Sequence, residues 1–322
     1  MEELEYGLDH DDNCSLTNLN KMTIKYTKSL SILNVNLRSL KGNWTKLITF
    51  LSQLKHKPTL IIITESWLDD NISHLFHIQD YKMLCQNRNS LGGGVAVYYR
   101  NSINAKVLQK YTGLFDTHES LCLSINLPNM KNIKILAIYR PPNKNVNEFI
   151  NYLTKINYKS FEKCIIAGDL NINLLVTTNQ SERLRHFLTS HNFYQLIKYS
   201  TRYSYDVSSS LLDHTWSNLG IKSESFVIEP PLSDHLPTLT FFSTNTTYPD
   251  KELKFRDFSA RNKTKFFDNL DAEFSLFLNR YGHITDIDNR ALELTIWLTY
   301  PCQKYFPIRF KNVSHKCYCK IY

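Results

Sequence analysis

The sequence predicts an α/β protein whose core is a sandwich of mainly antiparallel sheets. Three observations carry that reading: short apolar segments recur from Ser31 to about residue 242, Asn, Gly and Pro bound them, and only occasional helical stretches intervene. Strands that follow one another without a helix pair antiparallel most readily, and helices placed between distant strand groups cover the outer faces.

The expected strands are 31–35, 59–64, 82–86, 93–99, 104–108, 119–126, 132–139, 163–168, 211–216, 223–228 and 236–242. The expected helices are 43–56, 145–157 and 180–191, where apolar residues return every three or four positions, as in Trp44, Leu47, Ile48, Leu51 and Leu54. Gly92, Gly93 and Gly94 precede the apolar run Val95 to Tyr99, and no helix follows them. They read as a strand start or bulge, since a phosphate-binding glycine loop needs a helix N-terminus.

The chain divides into three parts. Residues 1–30 are acidic and polar without a sustained period and read as a flexible leader; residues 31–244 hold every expected strand; residues 245–322 carry two amphipathic segments near 262–279 and 286–300 and read as a small helical appendage. There Phe267, Leu270, Phe274 and Leu278 form one apolar stripe, read as a packing face.

With 322 residues, 42% of them hydrophobic, the chain can bury one large core. Its longest apolar runs, such as Leu60 to Ile63 and Ile133 to Tyr139, fall far short of the roughly 20 residues a membrane span requires. The start, with Glu2, Glu3, Glu5, Asp9, Asp11 and Asp12, is the opposite of a cationic secretory signal, so an intracellular, membrane-free protein is expected. Seven cysteines without a repeated pair spacing argue for thiols, and Cys317 and Cys319 with His315 lack the second ligand pair of a zinc knuckle.

The net charge of +8 is unevenly spread. Residues 1–30 hold three basic and six acidic residues and 249–322 hold thirteen and nine, which leaves twenty-two basic and fifteen acidic in between. That middle section stays net positive although it contains every acidic residue proposed below for chemistry. A polyanionic substrate is the partner such a balance suits.

Polar residues gather at strand ends, where a rigid sheet can hold them at one shared edge. Asn34 and Asn36 follow Ile32 and Leu33, Glu65 follows Ile61 to Thr64, and Asp169 and Asn171 follow Cys164 to Gly168. Asp213 and His214 follow Leu211 and Leu212, and Asp234 and His235 precede Leu236. Each alone has a structural alternative as a turn cap or a surface acid. Five strand ends with carboxylates, amides or imidazoles together point to a site. His214 is read as structural, because neighbours along a strand face opposite sides and Asp213 and His214 cannot share one site.

The blocks Leu33-Asn34-Val35-Asn36, Thr64-Glu65-Ser66-Trp67-Leu68, Gly92-Gly93-Gly94-Val95-Ala96, Ile138-Tyr139-Arg140-Pro141-Pro142, Gly168-Asp169-Leu170-Asn171, Leu212-Asp213-His214-Thr215-Trp216 and Ser233-Asp234-His235 occur in an order and spacing that resembles the endonuclease/exonuclease/phosphatase superfamily. Their wording is most similar to the endonuclease domain of non-LTR, LINE-type retrotransposons, over residues from about 31 to 242.

The resemblance implies a four-layered sandwich with a magnesium site, manganese being the alternative ion, at one edge. It implies Glu65 as principal metal ligand with Asn36 and Asp234 near the ion; family members often carry Asp where Asn36 stands, and the neutral amide should weaken the site modestly. Asp169 would orient or deprotonate the attacking water, Asn171 would position it, and His235, held by Asp213, would donate to the phosphate. Tyr139 and Asn34 would add hydrogen bonds. Arg140, Arg100, Arg202 and Lys198 lie outside these roles and are candidates for gripping flanking phosphates.

The implied activity is a DNA endonuclease that nicks one strand to leave a 3′ hydroxyl, acting in the nucleus without a small-molecule cofactor. A phosphatase or abasic-site nuclease of the same superfamily, or a non-catalytic DNA-binding remnant of a mobile element, are the alternatives. No Tyr-x-Asp-Asp or Phe-x-Asp-Asp motif occurs before Tyr322, so residues 245–322 resemble the segment that joins such endonucleases to a polymerase that is missing here.

Overall fold

The computed structural model describes residues 14–26, 29–128, 130–156, 161, 163–204, 207–243, 251–257 and 259–313. The acidic residues 2–12 and the Cys317, Cys319 and His315 group lie outside the described residues. The chain forms two compact units, Met1–Thr246 and Thr247–Tyr322.

The first unit holds two seven-stranded, mainly antiparallel sheets. The first sheet runs Cys14–Ser15, Ser223–Glu229, Thr238–Phe242, Leu30–Asn36, Leu60–Thr64, Val95–Arg100, Tyr81–Gln86. Only the pairings of Cys14–Ser15 with Ser223–Glu229 and of Leu30–Asn36 with Leu60–Thr64 are parallel in it. The second runs Tyr194–Gln195, Asp213–Ser217, Cys164–Asp169, Met130–Tyr139, Glu119–Leu127, Asn104–Val107, with Gly113–Leu114 also pairing onto Glu119–Leu127. Each strand expected from the sequence is present.

Alternation along the strands sorts the core into three apolar layers. Leu30, Ile32, Leu60, Ile62, Val95 and Val97 of the first sheet meet Leu121, Leu123, Ile135, Ala137, Ile165 and Ala167 of the second. On the outer face of the first sheet, Leu33, Val35, Ile61 and Ile63 pack on Leu47, Phe50 and Leu51 of the helix Trp44–Gln53. On the outer face of the second, Leu136, Ile138, Ile166 and Trp216 meet helices Val146–Thr154 and Asn179–Ser190 through Phe149, Leu153, Leu184 and Leu188. The result is helix, sheet, sheet, helix: a four-layered α/β sandwich.

Residues 14–26 correct the expectation of a loose leader. Ser15 caps the helix Leu16–Met22, Leu19 is fully buried, and the Tyr26 ring stacks on Phe241 at 4.5 Å. Leu16, Leu19, Met22 and Tyr26 do recur at helical steps, but over two turns only, a run too short to stand out beside an acidic flank.

In the second unit, helices Ala260–Tyr281 and Ile287–Tyr305 form as expected, but an antiparallel pair, Lys251–Arg256 with Ile308–Val313, corrects the purely helical reading. Leu253 and Phe255 alternate there with Lys254 and Arg256, a pattern too charged to read as a strand. The expected stripe is also rotated: Phe277 is buried against Trp297, while Phe267, Phe274 and Leu278 stay exposed. Among the described residues, no helix is long and apolar enough to cross a membrane.

Candidate active site

The strand ends meet at one edge between the two sheets. Along Leu30–Asn36, Leu30 and Ile32 face the second sheet, so Asn34 and Asn36 continue the same face beyond the apolar layer. The same parity extends Ile165 and Ala167 to Asp169, and Ile135 and Ala137 to Tyr139. Antiparallel pairing then sets Asp213 directly opposite Asp169. On its other side, Gly168 lets the strand lie close to Met130–Tyr139: its φ is +142°, and a Cβ there would lie 1.9 Å from the Ile138 carbonyl oxygen.

Asn36 joins the two sheets. Its Nδ2 donates at 2.8 Å to Glu65 Oε1 and at 2.8 Å to Asp169 Oδ2, and its Oδ1 accepts the Arg38 N–H at 3.1 Å, which fixes the amide's orientation. Trp67 Nε1 donates to Glu65 Oε2 at 3.2 Å. Glu65 and Trp67, like Arg38, Ser39 and Asn171, hold positive φ angles without being glycine, five of the eight such positions among the described residues. Backbone bonds sustain these angles: Leu37 N–H to Thr64, Ser39 N–H to Glu65 and Leu40 N–H to Ser66.

Asp169 is fully buried. Its Oδ1 accepts the Asn171 N–H at 2.8 Å, and Asn171 Nδ2 donates to the Arg140 carbonyl at 2.8 Å and to Asp169 Oδ2 at 3.2 Å. Burial, and then the neighbouring Asp213 charge, push the Asp169 carboxyl up to about 7, against the lowering influence of His235, Asn36 and Asn171.

His235 Nδ1 lies 2.7 Å from Asp213 Oδ2, both groups buried. Burial disfavours the imidazolium, but Asp213, Asp169 and Asp234 outweigh it and raise His235 to about 9. The ring is therefore a cationic donor at neutral pH. Asp234 Oδ2 accepts from Arg38 at 3.1 Å and Arg202 at 2.9 Å, and the charges of His235 and both arginines lower its carboxyl despite burial.

Which residues suit a divalent cation follows from the donors. Asn36 holds two carboxylates, Glu65 and Asp169, on either side of one amide nitrogen, and Asp234 Oδ1 is buried without a protein partner. These are hard oxygen donors, the set magnesium prefers. Atoms of Asp169, Asp213 and His235 also lie within 4.8 Å of one another. That trio is the poorer host, because the His235–Asp213 hydrogen bond engages Nδ1 and Oδ2 and a protonated imidazole does not ligate, although Asp213 Oδ1 is also buried without a partner.

Asn34 is fully buried at the site edge with both amide atoms unpartnered. Tyr139 is held near Glu65 and Asp169; burial and then those two carboxylates push its hydroxyl far up, keeping it a neutral donor. Arg202 is at the site through Asp234. Two other arginines are not available as phosphate grips. Arg140 is buried and donates to the carbonyls of Leu170, Pro141, Lys144 and Asn171, bracing the loop behind Asp169. Arg100 ends its strand at the opposite edge, where it donates to the Pro58 and Lys57 carbonyls. His214 is structural as read: it accepts from Trp216, sits 2.9 Å from the Ile172 carbonyl, and burial lowers it to about 4.

Four contributors were not legible. Arg38 follows the Asn motif but gave no signal. Thr201 Oγ1 accepts the N–H groups of Leu212 and Asp213 at 3.1 Å each, and Ser233 Oγ donates to the Asn36 carbonyl at 2.5 Å. Glu119, opposite Tyr139 in register, is a buried acid flanked by His118 and Ser120 at the start of its strand, where nothing local marks it.

Residues 133–239 match the family model described as "Endonuclease-reverse transcriptase". Among solved structures, the chain is similar to the endonuclease domain of TRAS1, a telomere-specific non-LTR retrotransposon, at TM-score 0.56 and 14% identity over 68% of this chain and 100% of that one. The APE2 catalytic domain of Xenopus laevis aligns at TM-score 0.52 and 16% identity over 66% and 91%, and an AP endonuclease from Archaeoglobus fulgidus at 0.51 and 16% over 66% and 99%. At these identities the likeness is one of fold. No curated protein matches the chain by sequence.

Proposed function

We propose that this chain, which belongs by fold and matched segment to the endonuclease/exonuclease/phosphatase superfamily near the non-LTR retrotransposon endonucleases, is a magnesium-dependent DNA endonuclease that nicks one strand to leave a 3′ hydroxyl. The observation that carries the reading is the convergence at the sandwich edge of two hydrogen-bonded groups, Asn36 with Glu65, Asp169 and Asn171, and Asp213 with His235, whose Asp169, Asp213 and His235 atoms lie within 4.8 Å of one another.

Glu65, with Asp234, would hold the ion, which when bound supplies charge neutralisation at the scissile phosphate, while Asn36, whose Nδ2 faces Glu65 and Asp169, orients the two carboxylates beside it. Asp169, raised to about 7, is matched to accept a proton from water near neutral pH, and Asn171 orients that water. His235 donates a charge-assisted hydrogen bond to the phosphate as charge builds on it, and Asp213 fixes the ring's tautomer and orientation. Tyr139 and Asn34 contribute neutral donors. The basic middle section favours a polyanion over a small phosphate ester. The working location is the nucleus, where such a substrate lies.

Purified protein should relax supercoiled plasmid with magnesium and stop on chelation. Cleavage of inositol phosphates in preference to DNA, or equal nicking in excess chelator, would refute the reading; an abasic duplex tests whether damaged sites are preferred. We take the catalytic domain to be residues 14–246 rather than 31–244, because residues 14–26 contribute to the core. That piece should be soluble and active alone.

A further inference from the structure

The triple-glycine segment has no part in the chemistry above, yet it borders the site. Gly93 and Gly94 carry φ angles of +70° and +86°. Their carbonyls accept the N–H groups of the Glu65 corner: Trp67 N–H to Gly93 at 2.9 Å and Ser66 N–H to Gly94 at 3.2 Å. A Cβ at Gly93 would meet Glu119 Oε1 at 2.5 Å, and one at Gly94 would meet Ser66 Oγ at 2.4 Å. The glycines are therefore required by two close approaches, one to the Glu65 corner and one to Glu119.

Glu119 belongs to the other sheet. Its carboxylate is buried; Oε2 accepts the Gly94 N–H and Oε1 pairs with Arg88 Nη1 at 2.9 Å, while Arg88 Nε donates to the Gly92 carbonyl at 2.9 Å. Both charged groups are thus spent on one loop. A charge is seldom placed between sheets unless its contacts are satisfied, and here they tie the second sheet to the loop that grips the Glu65 corner.

Resting on the nuclease reading above, we propose that Glu119 and Arg88 form a lock that positions Glu65 for its cation, through Gly94 and Ser66, without touching ion or substrate. Glu119 is a positioning residue. Glu119→Gln keeps an acceptor for Gly94 but turns an amide toward Arg88, so the Glu65 corner loosens while the apolar layer around it is preserved.

The test uses the full chain without DNA. Binding of Mn2+ is followed by electron paramagnetic resonance, and amide exchange is followed at Ser66, Trp67 and Gly94. Glu119→Gln should weaken Mn2+ binding on the order of tenfold, as loss of a group that orients a ligand commonly does, and should speed exchange at those three amides. Arg88→Met should do the same more weakly, which preserves the test if the first variant folds poorly. Raised magnesium should restore most of the lost nicking by Glu119→Gln. Unchanged Mn2+ affinity and exchange would overturn the lock, as would nicking lost at every magnesium concentration while Mn2+ affinity stays at the parent's value. Since Mn2+ binding and exchange are read without substrate, a parent chain that binds Mn2+ but cuts no DNA would refute the nuclease reading and still decide the lock.

Discussion

The two halves of the site are built on opposite terms with water. Asp169, Asp213 and His235 are buried, and their charges are balanced almost entirely by one another and by Asn36 and Asn171. Glu65 and Asp234 stand half-buried, and Asp234 is balanced by the exposed side chains of Arg38 and Arg202. Burial makes the first half sensitive to every proton and every removed partner, since a lone charge left in a dry site has nowhere to go. The open half can exchange partners with solvent ions. The division suggests that proton chemistry belongs to the buried half and cation and phosphate capture to the open one.

Removing the buried donor should have the largest effect. His235→Ala should lower kcat by about a hundredfold or more, with much smaller change in DNA affinity by fluorescence anisotropy, because the contact strengthens in the transition state. A loss confined to KM would move His235 into the binding half. Next in size is the open half: Glu65→Gln should raise the magnesium concentration for half-maximal nicking by more than about tenfold, the lower bound seen when groups that merely orient a metal ligand are lost. A variant with the parent's magnesium curve would mean the ion sits elsewhere, for instance within the buried trio.

Protonation should separate the halves more gently. The folded-state values of Asp169 and His235 are raised to about 7 and about 9 from ordinary values of 3.8 and 6.5. A raised folded value contributes stability that is present below the unfolded value and is lost as pH climbs through the folded one. In chelator, thermal stability should therefore fall between pH 3.8 and about 7 from Asp169 and again between 6.5 and about 9 from His235. His235→Ala should remove the second decline; a fall that persists unchanged in that variant would show that His235 is not charged in the fold. The smallest effect is expected at Arg38, whose half-exposed pair with Asp234 should contribute less than about 1 kcal/mol, so Arg38→Gln should leave the urea midpoint almost unmoved.

The buried half was also the more legible in sequence. Asp169 and Asp213 are anchored to strands whose alternation fixes their direction, so naming the strand nearly names the face, and His235 stands just ahead of the strand Thr238–Phe242. Asn36 could be placed for the same reason; Glu65 could not, because it follows its strand at a positive φ that breaks the alternation. The arginines could not: a long side chain's head is placed by partners from distant segments, and nothing local distinguishes Arg202, bound to Asp234, from Arg140, enclosed by four carbonyls. The capping and bridging hydroxyls of Thr201 and Ser233, and the cross-sheet carboxylate of Glu119, depend on tertiary approach in the same way. Short elements escaped too, because the two turns of Leu16–Met22 and the small hairpin Arg202–Ser204 with Val207–Ser210 offer too few residues to establish a period.

The most direct test is a double-mutant cycle on kcat for His235→Ala and Asp213→Asn, each variant confirmed folded. The geometry, 2.7 Å from Nδ1 to a buried carboxylate oxygen, predicts that the two act through one contact to the phosphate. The combined variant should then be about as slow as the worse single one. Losses that add in full would contradict the pairing, and with it the assignment of the buried half as one catalytic unit.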